Sequence, residues 1–97
     1  MAIVAVFQSP TLTQAKYEES IRQLTGGRAR MEKPSDWPVE GLLVHVAGQG
    51  SNGFRVVDVW ESDEAFRRFG EKLLPVLKRV GIEGQPEIYP AHTLVSA

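Results

Sequence analysis

Apolar side chains recur along this chain with two periods, and the periods delimit its elements. Residues 2–7, 41–47, 54–60 and 88–95 are short runs rich in Val, Ile and Leu, as pleated strands select. Residues 13–24 and 62–80 instead repeat apolar positions at helical spacing: Tyr17, Ile21 and Leu24 in the first, Phe66, Phe69, Leu73, Val76, Leu77 and Val80 in the second. Thr13 is placed to cap the first helix, with Leu12 stapling onto Tyr17 and Gly26–Gly27 as the stop. Ser62, followed by Asp63 and Glu64, starts the second helix directly after a strand, the two acids facing the positive end of the helix dipole.

Punctuation between the runs supplies the connections. Residues 25–40 hold two Gly, two Pro, Arg28, Arg30, Lys33 and Trp37 without either period and read as a long loop. The stretch Gly48-Gln49-Gly50-Ser51-Asn52-Gly53 reads as a hairpin turn. Pro75 has no N–H for the carbonyl of Glu71, so the second helix is expected to kink or break between Gly70 and Pro75. Pro90 cannot donate to a ladder, so the last strand belongs at a sheet edge or carries a bulge. The order is βαββαβ, an α+β, ferredoxin-like pattern: one domain over residues 1–97, a four-stranded antiparallel sheet with helices on one face and strand order 4-1-3-2.

An open sheet face in water should alternate polar with apolar residues, and this one does not. Pairing Gly48 with Gly53 sets His45 opposite Val56. One face then shows Leu43, His45, Ala47, Phe54, Val56, Asp58 and Trp60, and the other Leu42, Val44, Val46, Arg55, Val57 and Val59. The second face is apolar except for Arg55, which predicts a homodimer joined through Val44, Val46, Val57 and Val59, two sheets packed face to face with the helices outside.

Composition narrows the partners. Eleven basic against twelve acidic residues give a net charge of -1, no footprint for nucleic acid or an anionic membrane. Cysteine is absent, which removes disulfides and thiolate chemistry, and two histidines with scattered acids make no metal motif. The glycine-rich turn lacks the strand-to-helix setting of a phosphate loop, so no cofactor is expected. The apolar run at residues 2–7 is too short for a signal segment, and the expectation is a soluble, cytoplasmic protein.

The strand Val56-Val57-Asp58-Val59, then Trp60-Glu61-Ser62, and Glu64-Ala65-Phe66 with Phe69, resemble the dimeric α/β-barrel superfamily of the antibiotic-biosynthesis-monooxygenase type. Gly41 to Gly48 and Pro90-Ala91-His92 resemble small bacterial members of that group. The resemblance implies a ligand cavity between helices and sheet, and cofactor-independent oxygenation, isomerisation or binding without turnover. Haem-degrading relatives carry an Asn late in strand one and a His on helix two. Phe7 and Gln8 stand at the first place and no histidine at the second, so haem degradation is not implied.

On the helix-facing side, His45 and Asp58 come out as diagonal neighbours across two strands. A carboxylate beside an imidazole fixes its tautomer and makes a usable acid or base, with His45 as base, Asp58 as its orienter and Trp60 as a pocket wall. The plainer reading is a satisfied polar pair. Tyr17, Phe66 and Phe69 are candidates to line an aromatic pocket or are simply core, and His92 on the last strand is a ligand-binding candidate or a dimer contact. Arg28, Arg30 and Lys33 form either a lid over an anion or a solvated loop. Two functions remain in view: a protein that binds a small apolar or aromatic molecule as a cofactor-independent monooxygenase or isomerase, or a non-catalytic dimeric module whose pocket is filled.

Overall fold

The two periods become elements in the expected order. A computed structural model, describing residues 1–97, contains β1 (Ile3–Phe7), α1 (Gln14–Thr25), a 3-10 turn (Pro34–Asp36), β2 (Leu42–Gly50), β3 (Gly53–Trp60), α2 (Asp63–Val80) and β4 (Glu87–Pro90). The four strands form one antiparallel sheet in the order β2-β3-β1-β4, the expected 4-1-3-2. Both caps form: Thr13 accepts from the Lys16 N–H, Ser62 accepts from the Ala65 N–H, and Gly26 and Gly81 close the helices in the left-handed conformation. No helix is long and apolar enough to cross a membrane.

Four local expectations are corrected. The hairpin closes at Gly50 and Gly53, leaving Ser51 and Asn52 as the turn, so both strands are longer than expected. Gly53, at φ 126°, accepts a conformation closed to side chains and so permits the tighter turn. His45 consequently pairs with Asp58 directly, not diagonally. The slip is of two residues, and because side chains alternate with period two the faces survive it.

The second correction is a bulge. Leu42 pairs with Trp60 but Val44 pairs with Val59, so Leu43 is an extra residue on β2. It turns Leu42 inward, where it is buried, and leaves Leu43 out, the reverse of the alternation expected from the sequence. Next to the bulge, Gly41 (φ 112°) accepts the Glu61 N–H at 2.8 Å, and a Cβ there would stand 2.6 Å from that of Ala65. The strand-to-helix junction thus closes onto a position that only glycine fits.

Third, α2 runs unbroken through Pro75. Pro75 and Glu71 lie on its exposed side, so the carbonyl left without a donor is on the solvent side and the apolar stripe is undisturbed. Fourth, β4 ends at Pro90 and not at Val95. The Ala91 N–H makes one last bond to the Ala2 carbonyl, and the pairing ceases where β1 runs out.

Both helices pack on the face of the sheet that carries Ile3, Ala5, Asp58 and Trp60. The core there consists of two clusters, one around Ile21, Trp37, Trp60 and Phe69, the other around Leu12, Phe54 and Ile82.

Candidate functional site

Between the two clusters lies a cavity of about 300 Å³, lined mostly by apolar side chains from both helices and the sheet. Its polar groups converge at one place. β2 and β3 present His45 and Asp58 as a direct cross-strand pair, and Nδ1 of His45 lies 2.6 Å from Oδ1 of Asp58. Helix α1 brings Tyr17 over them. Its hydroxyl is 2.5 Å from the other ring nitrogen, Nε2, and Leu12 packs in the same cluster as Tyr17, as the capping pattern requires.

Each proton can be assigned from its partner. A carboxylate oxygen only accepts, so Nδ1 of His45 carries the proton and donates to Asp58. Nε2 of the neutral ring is then an acceptor, and the Tyr17 hydroxyl donates to it. The second oxygen of Asp58 accepts from the indole N–H of Trp60 at 3.3 Å. Burial first, then the negative charges of Asp58 and Glu18, pushes the Tyr17 phenol up to about 12, so it stays a donor at neutral pH. The result is one chain of hydrogen bonds, Tyr17 to His45 to Asp58, with Trp60 behind it.

Of the residues expected at a site, the structure brings Tyr17, His45, Asp58, Phe66 and Phe69 to the cavity. Trp60 is elsewhere. It is fully buried, stacked on Phe69 at 4.9 Å and edge-on to Phe66 at 6.1 Å, and it orients the carboxylate instead of walling the pocket. His92 lies beyond the end of β4, exposed and away from these groups, because the strand that was to carry it stops at Pro90.

The wall that sequence reasoning missed is Trp37. It comes from the 25–40 loop, packs at 4.8 Å on His45 and 5.4 Å on Phe69, and lines the cavity while itself buried. The loop is built to hold it there. Asp36 accepts from the backbone N–H groups of Glu32 and Lys33 at 3.0 and 3.2 Å, bonds that with nearby Arg28 hold its carboxyl below the usual range. The one signal for it in the sequence is an aromatic residue set between Pro34 and Pro38 in an otherwise polar stretch. Arg28, in turn, is exposed and contacts Glu32 and Asp36, tying the loop to itself. No three His, Asp or Glu side chains converge as metal ligands.

No family model matches the chain, and neither does any curated protein. Among solved structures the chain is similar to a monooxygenase from the ActVA-Orf6 gene of Streptomyces coelicolor, crystallised with nanaomycin D. The two share 20% identity over 99% of this chain and 91% of that one, with a TM-score of 0.47. The fold described above rests on this chain's own strands and registers and not on that likeness.

Proposed function

We propose that this protein binds a small, largely apolar or aromatic molecule between its helices and sheet, and acts on it by proton transfer. The observation that carries this reading is the Tyr17–His45–Asp58 chain at the wall of an apolar cavity. A cavity of about 300 Å³ is of the size that holds such ligands, which favours binding over a filled, non-catalytic core.

Both nitrogens of His45 are engaged, so the group that meets the ligand is Tyr17. Its oxygen takes a proton from the ligand while its own proton passes to Nε2 of His45, and Asp58 stabilises the imidazolium that forms. The ligand is left as an anion. That is the first step shared by cofactor-independent oxygenation with dioxygen and by isomerisation. His45→Ala removes the acceptor of the Tyr17 proton and is expected to lower turnover roughly a hundredfold or more; unchanged turnover of a substrate the wild-type protein converts would refute the role.

The active form in this reading is a homodimer. Val4, Val6, Val44, Val46, Val57, Val59 and Tyr89 share the sheet face that carries no helix, and Val46 remains 59% exposed. Two charges of opposite sign, Arg55 and Glu87, interrupt that face. Sedimentation of a dilute sample is expected to give twice the 10.8 kDa chain mass, and Val46→Glu to shift it toward the monomer. A wild-type sample sedimenting as a stable monomer would sink the assembly.

A further inference from the structure

Helix α2 lines the cavity with Phe66, Gly70, Leu73, Leu74 and Leu77. All but one are the large apolar side chains that such a stripe requires. The exception has no side chain at all. Gly70 is the one glycine inside either helix, and there it makes the folding equilibrium about two- to fivefold less favourable than alanine would.

The reasons that lie within the protein for a glycine at such a place are missing. Its φ is outside the left-handed range where Gly26 and Gly81 lie, so its backbone freedom goes unused. No neighbour crowds it. A Cβ at Gly70 would meet nothing within 4 Å, whereas one at Gly41 would stand 2.6 Å from that of Ala65. The open space belongs to the cavity: Phe66 and Leu74 stand one helical turn before and after Gly70 on the same face, and both line it. The stripe also runs outward. Leu74 is 61% exposed, and on β4 Ile88, which pairs with Ala5 and shares its helix-facing side of the sheet, is 44% exposed. Both line the cavity, so it opens between α2 and β4, and the half-buried Gly70 lies at that threshold.

We infer that Gly70 sets the length of ligand this site accepts: its bare backbone is a notch that admits an elongated apolar molecule, one end at Tyr17 and the other between Leu74 and Ile88. This deepens the proposed function and rests on its claim that the cavity is a binding site. A side chain at position 70 has room in the empty protein and none beside a long ligand, so it confines the site to short ones.

Two probes of one chemistry and two lengths test it, β-naphthol and β-anthrol, which differ by a linearly fused ring. Calorimetric titration of the wild-type protein is expected to show both bound. In Gly70→Ala the longer probe is expected to bind about tenfold more weakly and the shorter one as before. The urea midpoint of the same variant is expected to rise, because alanine is the better helix former. Stability gained while the longer probe alone is lost marks a position held open for ligand; a glycine needed by the fold would lose stability instead. A lower midpoint, equal weakening of both probes, undiminished binding of β-anthrol to Gly70→Ala, or a wild type that takes only β-naphthol would each overturn the role of Gly70 and leave the cavity reading standing. A wild type that binds neither probe would overturn both.

Discussion

Trp60→Ala is expected to destabilise the fold by about 3–5 kcal/mol, the range for deleting a fully buried large aromatic side chain. Trp60 is 0% exposed. Its ring stacks on Phe69, meets the edge of Phe66, and lies at the point where β3 passes into α2. Three losses add: the contacts of the ring, the cavity left between sheet and α2, and the donor to Asp58. The last leaves a carboxylate oxygen in the core without its partner. A domain of this size has a total stability of roughly 5–15 kcal/mol, so the change takes a large share of it. Urea titration followed by circular dichroism should show the midpoint collapse at low temperature. Trp60→Phe keeps most of the packing and is expected to cost clearly less; equal losses in the two variants would show that the ring's volume is not what matters.

Asp58→Asn is expected to reduce turnover by roughly a thousandfold or more while largely preserving the fold, since the two side chains have nearly the same shape. The reason is a count of donors. Asp58 accepts from His45 on one oxygen and from Trp60 on the other. Asn offers one oxygen and one NH₂, so it can serve only one of the two. If the amide oxygen stays with Trp60, its NH₂ meets the Nδ1–H of His45, and the imidazole must move its proton to Nε2. It then can no longer accept from Tyr17. If the oxygen serves His45, the Trp60 N–H is left unpaired in the core, at a cost of about 1–3 kcal/mol. Nitrogen chemical shifts of the His45 ring distinguish the tautomers. A variant with wild-type turnover and an unaltered ring would show that Asp58 neither orients nor charges the relay.

How far these residues could be found without the fold differs from one to the next. Asp58 and His45 were legible as a pair because alternation along two strands sorts faces with period two, and that parity survives an error in the turn. Their direct contact was not legible, because it depends on a turn of two residues where the composition allowed six. The inversion at Leu42 and Leu43 escaped for a related reason: a bulge is one residue of register, set by the close approach of Gly41 to Ala65 and not by any local preference. Trp60 was visible as important and given the wrong task. Its position at a strand end was clear, but whether it lined or backed the cavity depended on how α2 lay across it.

The amino-acid sequence by itself determined the elements, their order, their caps and the polarity of each sheet face, since these follow from periodicity and from the chemistry of Ser, Thr, Gly and Pro close to each junction. Pro90, which has no N–H, narrowed strand four to a sheet edge or a bulge, and the strand order places it at the edge. Only the tertiary structure decided what those faces hold. Tyr17 is far from His45 and Asp58 along the chain, and Trp37 lies in a loop with no period to read. Their meeting is set by how α1 and the 3-10 turn pack onto the sheet, a long-range outcome that no local pattern encodes.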